Sequence, residues 1–226
     1  SRSAVPSTRL HPQPRNQSNW QQPVRSPPTK PDPTIRCTLQ MDHPARLLAG
    51  FLLEITMPAR RRDFILYIGD TNGQAHTAYI GAKSVKDPSQ HFFVHNADTL
   101  LVGRDFKAIE SVMSDGYVDV FVANNPKYSY VRSKDGLVTE IVEKSPISPF
   151  ASSGLYGFQS PQLYQQMYES LSSTFVGKEM YIANLFTHMI EKNCSIGLND
   201  LNNKYETIVL GSPQEYGLEL AKKSLK

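Results

Sequence analysis

The sequence predicts an α/β protein, a mainly parallel sheet flanked by helices, behind a disordered N-terminal tail. Three observations lead there. Residues 1–34 hold eight of the sixteen prolines and almost nothing apolar. From Ile35 onward, short apolar runs alternate with segments of helical spacing. That β-α-β-α order, repeated, is what parallel strands with crossover helices require.

The tail is predicted to be disordered because proline removes backbone donors and keeps the preceding residue out of the helical region. Residues 35–226 form the predicted domain. "TIRCTLQM" (34–41) reads as a strand, and 43–55 has helical spacing at Leu47, Leu48, Phe51 and Leu52. "FILYIG" (64–69) is nearly continuous in apolar residues, as a strand covered on both faces should be. A helix should start just after Gly73, with Ala75, Ala78, Tyr79 and Ala82 on one side. "HFFVHN" (91–96) is the next strand, 105–114 a short helix, and "YVDVFVA" (117–123) another strand. Residues 127–144 read as a hairpin, with Asp135-Gly136 at its turn. "GLYGF" (154–158) is a further strand. Helices follow at 161–172 and 179–192, then a strand near 205–210 and a helix opened by Pro213.

Composition narrows the function classes. No apolar run reaches the ~20 residues that span a bilayer, so no membrane role is expected. Five basic residues against one acid give the first 34 residues +4 of the chain's net +3, leaving the remainder at −1. A body of that charge offers no electrostatic case for nucleic acid. Cys37 and Cys194 lack the spacing of a zinc site, and unpaired thiols fit a cytoplasmic location. The basic, proline-rich tail is a candidate arm for a protein partner.

Three stretches carry candidate chemistry. Asp98 falls where "HFFVHN" should run out, and in open α/β sheets ligands bind beyond the carboxyl ends of strands. A carboxylate there can bind Mg²⁺ beside substrate phosphates; a turn or capping Asp would give the same pattern. Gly73-Gln74-Ala75 joins a strand to a helix, where backbone N–H groups can meet a ligand and Gln74 can read a base edge or a sugar hydroxyl. Glu143 and Lys144 are successive residues that would face opposite sides unless the strand breaks between them. An exposed ion pair is the plain alternative.

In combination, strand-"NGQA"-helix, strand-"NADTLL", "YSYV…DGLVTEIVEKSPIS…ASSGLYGF" and "VLGSPQEY", in that order, resemble the sugar-phosphate nucleotidyltransferases. These share a Rossmann-like fold, the nucleotide-diphospho-sugar transferase type, with GT-A glycosyltransferases. The resemblance implies Mg²⁺-dependent transfer from a nucleoside triphosphate to a sugar 1-phosphate, giving a nucleotide sugar for polysaccharide biosynthesis, and pyrophosphate. It implies Gly73, Gln74 and Ala75 against the base, and Asp98 on the metal. It also implies Glu143 and Lys144 on the sugar and its phosphate, and Gly154 against the sugar ring. There are two departures. The family's N-terminal Gly-rich loop has only echoes here, around Arg9 and Lys30. Its second metal carboxylate is replaced by Val209, with Asp200 or Glu206 as substitutes. A GT-A glycosyltransferase and a non-catalytic remnant that binds sugar or nucleotide are the alternatives.

Overall fold

A computed structural model describes residues 35–39, 51–56, 64–199 and 205–224, the stretches before Ile68 as backbone only. The tail lies outside these residues, as do the helical spacing at Leu47 and Leu48, and Arg9, Lys30 and Asp200. The elements are β1 (Ile35–Leu39), β2 (Phe51–Thr56), β3 (Phe64–Ile68), α1 (Gln74–Ser84), β4 (Phe92–Asn96), β5 (Thr99–Val102), α2 (Phe106–Val112) and β6 (Gly116–Val122). They continue as β7 (Tyr130–Lys134), β8 (Leu137–Val142), β9 (Phe150–Phe158), α3 (Pro161–Ser172), α4 (Ile182–Glu191), β10 (Ile196–Leu198), β11 (Glu206–Val209) and α5 (Pro213–Ser224).

The sheet order is β3-β2-β1-β4-β9-β6-β10-β8-β7, with a separate β11-β5 ribbon. Parallel pairing occurs only between β1 and β4 and between β6 and β10 among the described residues. The expected mainly parallel sheet is therefore corrected to a mixed one. β1, β4, β6 and β10 do run in one direction, but β9 enters antiparallel between β4 and β6. The reason is local: β9 follows β6 with only the β7–β8 hairpin and no crossover helix between them, and a strand that returns beside its predecessor without a crossover runs antiparallel to it. β7 pairs back onto β9 at Tyr130↔Ala151, closing β9-β6-β10-β8-β7 into a small barrel. The predicted helix over 43–55 is corrected for its last turn, where β2 pairs with both β1 and β3. Pairing on two edges outweighs a helical spacing of apolar residues.

Alternation along the strands divides the core between the two faces. Phe92, Val94, Val118, Val120, Tyr156 and Phe158 pack on one side with α1, α3 and α4. Phe93, Tyr117 and Leu155 point the other way, onto Ile109 and Met113 at α2. Helix α1 turns Ala75, Ala78 and Ala82, all fully buried, toward the sheet. Ser160 caps α3 by accepting from the Leu163 N–H at 3.1 Å, and Pro161 opens it. The β7–β8 turn carries Asp135 at φ 53° and Gly136 at φ 78°, the two left-handed residues a type I′ turn needs.

The acid buried in mid-strand is Asp119 on β6, at 0% exposure. It accepts from Arg104 Nη2 at 2.9 Å and Nε at 3.3 Å, from Tyr117 OH at 3.1 Å and from Ser153 Oγ at 2.6 Å. Arg104 also donates to the Val102 and Glu206 carbonyls and to Thr207 Oγ1, so one guanidinium fastens the β5–β11 ribbon to β6.

Candidate functional site

Asp98 occupies the two-residue turn between β4 and β5, at the carboxyl end of β4. Its backbone carbonyl accepts from Leu210 N–H at 2.7 Å, and its Oδ1 from Thr99 Oγ1 at 3.2 Å. Gly211 packs so closely that a Cβ there would lie 2.6 Å from Asp98 Oδ2. The turn is thus held by its own strand and by a segment more than a hundred residues downstream. A lining carboxylate at a strand end faces a cleft, which resolves why an acid follows an apolar strand here.

That cleft, about 260 Å³, brings together Gln74, Asp98, Glu143, Lys144 and Gly154, with Lys127, Tyr128 and Tyr181 on its walls. Gly73 and Ala75 stand behind it. A Cβ on Gly73 would meet the Met180 backbone at 2.8 Å, and the Ala75 N–H is spent on the Met180 carbonyl at 2.9 Å. Ala75 therefore offers packing here, not the backbone donor expected of it. Gln74 is also engaged: its amide donates to Asn96 Oδ1 at 2.5 Å, and its carbonyl accepts from the Ile182 N–H at 3.3 Å. It ties the starts of α1 and α4 to the end of β4.

Glu143 and Lys144 follow the end of β8, and Lys144 takes φ 55°, a left-handed backbone. That one residue breaks the strand alternation, so both side chains line the cleft. A non-glycine residue in this region stores strain, which collects at functional positions. The Lys144 ammonium donates to Tyr181 OH at 2.8 Å and lies 4.5 Å from the centre of that ring. Tyr181 OH in turn donates to Glu179 Oε2 at 2.6 Å. This hydroxyl contact raises the Lys144 pKa above the ordinary lysine value. Glu143 accepts from Ser129 Oγ and lies 4.0 Å from Lys144. Burial pushes its carboxyl above the usual range, against the opposing pull of Ser129 and Lys144.

Gly154 sits in β9 at φ 86°, where the β6–β9 register slips opposite Asp119. A Cβ there would meet Asn96 at 2.6 to 2.9 Å. Glycine is required both by its backbone angle and by the side chain pressed onto it.

The sequence reading missed Lys127 and the cleft-facing roles of Tyr128 and Tyr181. Tyr130, Tyr156, Tyr164 and Tyr168 are buried, as core residues should be. A signal was present for Lys127 and Tyr128: Lys-Tyr-Ser-Tyr opens the hairpin that ends in Glu143-Lys144. Val209, at the place of the expected second carboxylate, lines the cleft. Glu206 is exposed three residues earlier, and its carbonyl is bonded to Arg104. Among the described residues no three His, Cys, Asp or Glu gather into a metal site. Asp98 alone still suits Mg²⁺, which keeps waters and is held by one or two carboxylates plus substrate phosphates.

This mixed sheet with its barrel and cleft defines a sugar-phosphate nucleotidyltransferase-like fold. Solved structures similar to it include the nucleoside-diphosphate-sugar pyrophosphorylase from Vibrio cholerae RC9, at 29% identity and TM-score 0.58, over 68% of this chain and 66% of that one. The inositol-1-phosphate CTP transferase from T. maritima aligns at 16% identity and TM-score 0.50, over 67% and 62%. HddC from Yersinia pseudotuberculosis aligns at 21% identity and TM-score 0.52, over 73% and 68%. The last two likenesses speak for the fold alone. The chain spans slightly less than two thirds of the length of the first two. No family model and no curated protein matches the chain. No helix among the described residues is long and apolar enough to cross a membrane.

Proposed function

We propose that the chain transfers a nucleotidyl group from a nucleoside triphosphate to a sugar 1-phosphate. The observation that carries this reading is the meeting of Asp98, Glu143, Lys144 and Gly154 in one cleft of a nucleotidyltransferase-like fold. In the reaction a phosphate oxygen of the sugar 1-phosphate forms a bond to the α-phosphorus. The bond from that phosphorus to the β-phosphate bridging oxygen breaks, and pyrophosphate leaves with the electron pair. Such chemistry needs positioning and charge neutralisation, not a protein nucleophile.

Lys144, braced by Tyr181, supplies positive charge to the sugar's phosphate. Glu143 accepts hydrogen bonds from sugar hydroxyls, and the bare backbone at Gly154 lets the ring approach. Gln74, fixed at both ends of its amide and backed by Gly73 and Ala75, forms the wall on the base side. Asp98 would hold Mg²⁺, whose bound charge would offset that of the phosphates. A cytoplasmic location, with its supply of nucleoside triphosphates, belongs to this reading.

Pyrophosphate release from a nucleoside triphosphate plus a sugar 1-phosphate tests it, with a panel of bases and sugars. Asp98→Asn is expected to abolish metal-dependent turnover while the circular dichroism spectrum and melting temperature stay as in the parent. An Asn variant with full turnover would refute the role given to Asp98. Val209 favours a second reading, a binding domain without catalysis. Calorimetric binding of nucleotide or sugar phosphate without pyrophosphate release would support that one.

A further inference from the structure

Resting on the nucleotidyl-transfer reading, we propose that Lys127 is a second phosphate-binding group of the cleft, masked by Glu215 until a phosphate displaces it. Among the described residues, Lys127 and Lys144 are the two cationic side chains on the cleft wall. Each ammonium lies beside a tyrosine ring, Lys127 at 5.0 Å from the centre of Tyr128 and Lys144 at 4.5 Å from that of Tyr181. Transfer to a sugar 1-phosphate brings at least two phosphates into this space. Lys144 answers one of them.

The two lysines differ in what holds them. Lys144 is bonded to a neutral hydroxyl, whereas Lys127 is paired with the Glu215 carboxylate in the first turn of α5. Glu215 is anchored apart from Lys127. Its Oε2 accepts from Ser212 Oγ at 2.8 Å, and its N–H donates to the same oxygen at 3.3 Å. It can therefore release the lysine while the start of the helix stays capped. The pair is partly open to water, with the two side chains 39% and 24% exposed. Ion pairs so exposed are weak, and a pyrophosphate carries more negative charge than one carboxylate, so it attracts the ammonium more strongly. Beyond its first turn α5 presents Tyr216 and Leu218 to solvent, so little packing resists its moving aside. Gly211, two residues before α5, packs so that a Cβ on it would lie 2.6 Å from Asp98 Oδ2, so the segment that moves adjoins the proposed metal ligand.

The test is calorimetric titration of the full chain with inorganic pyrophosphate in the presence of Mg²⁺. Glu215→Gln keeps an acceptor for Ser212 and removes the masking charge, so it should bind about 3- to 10-fold more tightly than the parent. Lys127→Met should bind about 10-fold more weakly, with Lys127→Arg restoring most of the loss. If the contact merely fastens α5, both Glu215→Gln and Lys127→Met will weaken binding, and the proposal fails. An unchanged affinity in either variant, or no heat from the parent and Glu215→Gln alike, overturns it too. Failure of the nucleotidyl-transfer reading has a different signature: no pyrophosphate release from any substrate pair, with the opposite signs of the two variants in pyrophosphate binding intact.

Discussion

Replacing Arg104 with Met leaves Asp119 as a fully buried carboxylate without its cation. Removing one partner of a buried ion pair costs about 3–5 kcal/mol. Tyr117 OH and Ser153 Oγ still donate to Asp119, which places the loss toward the lower end. The Val102 and Glu206 carbonyls also lose a donor, worth about 1 kcal/mol each. That makes a loss of about 5 kcal/mol in all, and for a domain of this size each kcal/mol lowers the melting temperature by about 2–4 °C, so a fall of roughly 10–20 °C is expected. Thermal melts paired with urea titrations measure it, and an unchanged m-value shows that stability alone has moved. The double variant Arg104→Met/Asp119→Asn removes the buried charge and should recover about 2 kcal/mol of the loss. A single variant within about 1 kcal/mol of the parent would refute the reasoning, as would a double variant less stable than the single.

Three further outcomes are expected. Gly154→Ala places a Cβ at positive φ against Asn96, at a cost of about 1–2 kcal/mol for the backbone and 1–3 kcal/mol for the overlap. Chemical denaturation reads it; a loss of only about 1–2 kcal/mol would show that Asn96 moves away freely, and one below about 1 kcal/mol would contradict the backbone cost too. Glu143 has a raised pKa in the fold, so its contribution to stability is fully present below its ordinary value of 4.5 and is lost as pH rises through the raised one. Glu143→Gln should therefore melt higher than the parent at pH 7, with the difference vanishing below about pH 4; a lower melting temperature at pH 7 would contradict this. Lys144→Gly removes a left-handed non-glycine residue and should stabilise the chain by about 1 kcal/mol while weakening sugar 1-phosphate binding in a calorimeter. A variant that binds sugar 1-phosphate as the parent does would remove Lys144 from the site.

Local pattern made much of this fold legible. The Asp135-Gly136 turn, the alanine face of α1 and the Ser160-Pro161 start of α3 are decided by residues close in sequence, and each appears where the pattern put it. The β9 insertion is not decided that way, because nothing within "FASSGLYGF" specifies which strands will flank it. β5 and β10 were missed because four and three residues carry too little periodicity. The Arg104–Asp119 pair joins elements that spacing alone does not connect. One clue was visible, since an acid in the middle of "YVDVFVA" must be paired with something. At the cleft, Asp98 and the Glu143-Lys144 pair stood out as charges at strand ends. Tyr181 did not, because only the tertiary path brings it to the same wall.

The downstream buttress on Asp98 carries a consequence for synthesis at the ribosome. Leu210 and Gly211 leave the exit tunnel long after the turn they support. A growing chain can pair β4 with β9 while residue 98 has nothing behind it. The pocket is thus completed late, and a product cut short before Leu210 would keep most of the sheet and lack the backing of its carboxylate.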